Sequence, residues 1–127
     1  PGNVTMLESI PKDEVPRYIS ILDVCLINLK KSPLFETVIP SKIFENASMG
    51  IPILMGVGGE AKAMVESYHA GLCYEPENFD DFEAKLLRLL DPSVYMSCKQ
   101  GGRNMAVDFD RNVLAGRMLE VIRSLCT

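Results

Sequence analysis

Residues 40–54 read PSKIFENASMGIPIL. Pro40 carries the fixed backbone angle that suits a helix start, and Gly50 is the residue type that ends a helix. Between them Ile43, Phe44 and Ala47 form an apolar stripe, while Ser41, Lys42 and Glu45 lie three or four residues apart on neighbouring polar faces. The helix is short, and IPIL follows it at once as a β-rich apolar run. What stands before it is equally telling. DVCLINL (23–29) is an almost unbroken apolar stretch introduced by an aspartate, the pattern of a strand covered on both faces in a parallel sheet.

Outward from this block, strand and helix alternate. VTML (4–7) reads as a short strand and PKDEVPRYISIL (11–22) as a helix, with 30–39 a loop. IPILMGV (51–57) is a second buried strand, broken by GVGGE (56–60). EAKAMVESYHAG (60–71) is a helix ended by Gly71, and LCYE (72–75) a third buried strand. PENFDDFEAKLLRLLD (76–91) places Phe79, Phe82, Leu86, Leu87 and Leu90 at helical spacing, with Asn78 as N-cap. Helices over 92–107 and 110–126 close the chain, their Met and Leu stripes expected in the core. The pattern predicts an α/β fold, a doubly wound parallel sheet of Rossmann-like type.

The chain has 127 residues, of which 47% are hydrophobic, enough for one domain with a real core. A net charge of −4 with interspersed signs gives no basic stripe for nucleic acid. It does not favour an anionic membrane either, although Lys30 and Lys31 form a local basic patch. Cys25, Cys73, Cys98 and Cys126 show no CxxC spacing, so buried thiols of a reducing compartment are expected. One histidine, His69, stands near a helix end and is assigned no role. No metal site and no cofactor are expected. No signal peptide and no long apolar run appear, and the first residue is Pro rather than Met, as in a fragment.

A doubly wound unit binds ligands beyond the carboxyl ends of its strands. Those places are the segment after Leu29, the loop after Met55 and the loop after Glu75. A carboxylate on the nearby 40–50 helix suits vicinal hydroxyls such as those of a ribose, which gives Glu45 a function. The alternative is a solvated Glu45 paired to Lys42. In GVGGE, Gly58 and Gly59 allow a phosphate to approach backbone N–H groups, whereas a tight strand-to-helix turn also needs glycine for its own sake. Glu60 repels phosphate and suits sugar hydroxyls.

The order of these segments, and above all PSKIFENASMGIPIL, resembles the C-terminal, nucleotide-sugar-binding domain of GT-B glycosyltransferases of the family-4 retaining type, across nearly the whole chain. The resemblance implies a partial donor domain over 1–127, in a transferase that binds a nucleoside diphosphate sugar, with a UDP-sugar favoured, for polysaccharide or glycoconjugate synthesis. That family carries a glutamate, seven intervening residues and a second glutamate, the first on the donor sugar and the second on the ribose. Glu45 matches the second. Thr37 stands at the first, with Glu36 beside it, a departure that resembles a Pro-Ser-Lys subgroup from surface-polysaccharide assembly. Ser41, Lys42, Glu45, Gly58, Gly59 and Glu60 are the implied donor-binding residues.

By the same resemblance, the basic residues that neutralise the pyrophosphate and the acceptor-binding groups belong upstream. The acceptor, a sugar or a lipid-linked sugar, would bind an N-terminal domain, and the 127-residue chain alone is expected to be inactive. A cytoplasmic location is implied, with peripheral membrane association of the longer protein. Two other readings stand beside this one: a non-catalytic nucleotide-binding scaffold, and a nucleotide-sugar epimerase of GT-B architecture.

Overall fold

A computed structural model describes residues 2–126. Three parallel strands, β1 (Cys25–Asn28), β2 (Ile53–Gly56) and β3 (Gly71–Cys73), form a sheet in the order β1-β2-β3. Cys25 stands opposite Ile53, and Ile53 opposite Gly71. Helices α1 (Val15–Ile19), α2 (Lys42–Ser48), α3 (Gly59–Ser67), α4 (Phe79–Arg88), α5 (Pro92–Asp108) and α6 (Arg111–Leu125) surround it, with a 3-10 turn at Pro33–Thr37. Because α2 and α3 each join two parallel neighbours, all three strands end at the same edge of the sheet.

Both faces of the sheet are covered. On one, Ile43 and Ala47 of α2, Ala61 and Val65 of α3 and Met105 of α5 pack on Cys25, Ile27, Ile53, Met55 and Cys73. On the other, Leu54 and Tyr74 meet Leu89 and Cys98, with Phe82 and Val94 against them. Every residue of β2 is buried, as expected of a central parallel strand. In β1, an edge strand, burial alternates, and Leu26 is 52% exposed. The expectation that DVCLINL is covered on both faces therefore fails on one face.

The predicted strand at 4–7 is absent: Val4, Met6 and Leu7 are exposed and pair with nothing. Four β-branched and apolar residues do not hold a strand without a ladder partner and a face to bury. The helix predicted over 11–22 shrinks to α1, because Pro11 to Glu14 form turns before Pro16 in its first turn.

The long helix α5 crosses the domain. Gly101 lies against the carbonyls of Tyr68 and His69, where an added Cβ would come within 2.2 Å of the Tyr68 oxygen, and Gly102 faces Ala47. At its far end Tyr68 Oη donates to Asp108 at 2.8 Å, and Phe44 stacks near Phe109 with ring centroids 5.2 Å apart. The N-caps are as their residue types suggest. Asn78 accepts from the Asp81 N–H at 3.0 Å, while Asp91 and Asp110 cap α5 and α6. The expected core role of the last helix is wrong: no residue of α6 is buried, and Met118 is 66% exposed.

Cys25, Cys73 and Cys98 are buried free thiols, whereas Cys126 is exposed. Burial pushes the Cys73 thiol up to about 12, with Glu66 adding to the effect. Below the unfolded value near pH 9 both states hold the proton and nothing is lost. As pH rises from there to about 12 the unfolded thiol ionises while the buried one does not, so the folded state loses stability. Alkylation of the native chain near neutral pH should label Cys126 rapidly and Cys25, Cys73 and Cys98 only after denaturation, as read by intact mass. Thermal melts should also show Gly101→Ala destabilised by about 1–3 kcal/mol through overpacking. Gly116→Ala, which meets nothing within 4 Å, should stabilise α6 itself by about 0.5–1 kcal/mol, read as helicity, and leave the melting of the sheet unchanged.

Candidate functional site

The crevice lies where the strands end. Leu29, Lys30 and Lys31 follow β1, Val57 and Gly58 follow β2, and Glu75 and Pro76 follow β3; with Ser32, Phe35 and Glu36 they enclose about 80 Å3. All three segments singled out in the sequence thus meet at one place. Across its mouth Lys31 Nζ donates to Glu75 Oε1 at 2.6 Å, joining the loops after the two outer strands over the end of β2. The Glu75 carboxylate, aided by Glu77 and Glu36, holds the Lys31 ammonium above its ordinary range. The neighbouring N–H of Glu75 donates to Asp81 at 2.7 Å, so α4 steadies that loop.

The six residues expected in the site divide between locations. Gly58 lines the crevice. Gly59 does not, and its bareness has another use. It has φ +63°, and a Cβ there would fall 1.9 Å from the carbonyl oxygen of Glu36, so the 3-10 turn sits directly on it. Gly56 is likewise claimed by the protein, since the Tyr74 ring packs against it. The glycines of GVGGE are needed first by the fold. Glu60, in the first turn of α3, is exposed and its carboxylate has no hydrogen-bond or ion-pair partner.

Glu45 lies elsewhere. It is exposed on α2 and borders a groove of about 330 Å3 with Lys12, Val15, Pro16, Ile19, Ser48 and Met49. The polar face of α2 therefore turns toward α1, not into the crevice at the strand ends. The solvated alternative also changes form, because Glu45 and Lys42 make no ion pair within 4.0 Å. Ser41 precedes α2 in helical conformation without using its hydroxyl as a cap. Burial raises the Cys25 thiol of β1, with the Lys42 charge opposing that rise and the Glu45 charge adding to it.

Some site residues were missed in the sequence. Phe35, Lys31 and Glu75 line the crevice; the signal for Lys31 and Glu75 was present as charges immediately following apolar runs, LINL-KK and LCY-E, while Phe35 carried none. What the sequence lacks is the pairing of Lys31 with Glu75 across 44 positions. Thr37 turns its hydroxyl to the Leu34 carbonyl at 3.2 Å, whereas the Glu36 side chain runs past Gly58. His69, assigned no role, has φ 56° just past α3 and holds the Glu66 carbonyl through Nδ1 at 2.7 Å, an ordinary helix ending.

No family model matches the chain. In sequence it is 26% identical over 107 residues to a protein of Bacillus subtilis (strain 168) named as a teichuronic acid biosynthesis glycosyltransferase, TuaH. That match takes in 84% of the chain but 27% of the relative, so the chain spans about a quarter of that protein's length. In structure it superposes on sucrose-phosphate synthase from Thermosynechococcus elongatus with a TM-score of 0.78 at 21% identity, covering 98% of this chain and 30% of that one. A glycosyltransferase from Rickettsia africae ESF-5 gives 0.70 at 16% identity, over 92% of this chain and 31% of that one. The resemblance carried by residues 40–54 is borne out, and the chain has the partial Rossmann-like fold of GT-B glycosyltransferases.

Proposed function

We propose that the chain is the donor-binding part of a glycosyltransferase and that it holds a nucleoside diphosphate sugar, with UDP the nucleotide expected. The observation that carries this reading is the crevice at the carboxyl ends of three parallel strands, lined by Lys31, Glu36 and Gly58, while Glu45 of α2 faces a separate groove beside α1. The named activity of the Bacillus relative supports the reaction class. Glu45 then accepts two hydrogen bonds from ribose hydroxyls, as an exposed carboxylate on a rigid helix is able to do. Ser41, just before α2, and Lys42, in its first turn, are assigned to the same donor.

In the crevice itself Glu36, rather than Thr37, is the acceptor for donor-sugar hydroxyls, because the threonine hydroxyl is engaged with Leu34. Glu60 stands at the rim for the same class of contact. Gly58 offers backbone without a side chain next to the diphosphate, and Gly59 secures the turn that carries Glu36. At about 80 Å3 the crevice holds only part of a nucleotide sugar, which needs about 300 Å3 or more. The remainder of the donor lies along α2 and against protein outside these 127 residues. The acceptor, a sugar or lipid-linked sugar, belongs to that outer part as well. The reaction takes place in the cytoplasm, with peripheral attachment of the longer protein to the membrane. Among the described residues no helix is long and apolar enough to cross a membrane.

A titration of the purified chain with UDP, followed by amide chemical shifts, should show weak binding that perturbs α2. Glu45→Gln should weaken it by about 1–3 kcal/mol, since an amide replaces a charged acceptor. Equal affinity in the variant would make Glu45 a solvated side chain. Given a UDP-sugar and acceptor, the chain alone should release no UDP; release that Glu45→Ala abolishes would mean the active centre is complete within it. Gly59→Val cannot probe the donor, because the backbone contact with Glu36 makes it a folding variant, destabilised by about 1–3 kcal/mol in a thermal melt.

A further inference from the structure

The crevice is narrowed by a side chain rather than by a loop. Lys31 begins only two residues after Leu29, whose N–H is still bonded to Gly56 of β2 at 3.3 Å, so its backbone is fixed to the sheet. Its long side chain then reaches Glu75, beyond β3. Both partners are more than half exposed, at 62% and 51%. Such a pair is weak in water and parts readily. Lys30 and Lys31 are the two cations bordering the crevice, and Glu75 is a carboxylate seated on one of them.

We propose that Lys31 and Glu75 form a gate, in which Lys31 gives up the Glu75 carboxylate and takes the phosphate of the incoming ligand in its place. The inference rests on the donor reading above for the ligand class, a phosphate-bearing nucleotide. Its chemistry is counter-ion exchange, with no covalent step. Glu75 serves as a stand-in anion that keeps the ammonium oriented across the crevice when no phosphate is present. Released, it turns outward with the exposed Glu77 beside it, which relieves the repulsion a phosphate would otherwise meet. Glu36 remains inside the crevice, on the side of Gly58, and faces the uncharged hydroxyls of the ligand. A compact, strongly hydrated ammonium on a flexible stem suits such an exchange between two anions.

The test uses the 127-residue chain, with inorganic pyrophosphate and UDP as probes, and follows amide shifts of 29–31, 57–59 and 75–76. Pyrophosphate should perturb these amides in the native protein. Glu75→Gln, which removes the competing charge, should tighten it by about two- to fivefold, and Lys31→Met should weaken it by at least as much. All three proteins should melt alike, because the pair is exposed. Pyrophosphate that leaves these amides unmoved, or binds Glu75→Gln no better than the native chain, overturns the gate. UDP binding along α2 with no response to Glu75→Gln would overturn the gate and keep the donor reading. Pyrophosphate tightened by Glu75→Gln while UDP never binds would keep the gate and remove the nucleotide.

Discussion

The complete burial of β2 is the constraint from which the rest of the domain follows. A strand with no exposed residue needs a partner on each edge and a layer on each face, and β1, β3, α2 with α3, and α4 with α5 supply them. Because its two neighbours run parallel to it, each connection must return along the sheet, and every strand then ends at one edge. The crevice is a by-product of that arrangement. Gly71 shows how tight the requirement is: a Cβ there would lie 1.9 Å from the Ile53 carbonyl oxygen, so the third strand pairs closely only through a bare residue.

The sheet was legible because its strands are apolar runs of a kind that few other structures use. CLIN and ILMG fall inside the runs identified in the sequence, each shorter at its ends than expected, whereas GLC begins one residue before LCYE, at the Gly71 read there as a helix end. Periodicity also placed α4 and α5, and Asn78 caps α4 as its residue type suggests. VTML was misleading, since local β preference carries no information about whether a neighbouring strand exists. The α6 stripe misled in the opposite way. Its apolar residues repeat as a core face does, but none of them is buried among the described residues.

The site was legible in position and poorly legible in composition. Strand ends can be located from a pattern, so the three bordering segments were found. Which side chains turn into the crevice depends on the 3-10 turn at Pro33–Thr37, which reads as loop in the sequence. That turn brings Glu36 over Gly58 and Gly59 and directs Thr37 back to Leu34. Glu45 was identified as a polar residue on a helix, but helical spacing gives a direction relative to its own helix only. Its outlook onto α1 is a tertiary fact.

The lightly attached α6 changes what a melting curve of this chain means. It is fifteen residues long, capped by Asp110 and tied back by an Arg117–Asp108 contact at 3.6 Å, with no residue buried. A helix of that length is marginal in water without tertiary support. It is therefore a cooperative unit of its own, free to melt while the sheet stays intact. Helicity measured by far-ultraviolet absorption would fall in two stages, and the first would report nothing about the core. A single transition temperature would merge two events, and stability changes in this domain belong to a probe such as Tyr74, buried against the sheet.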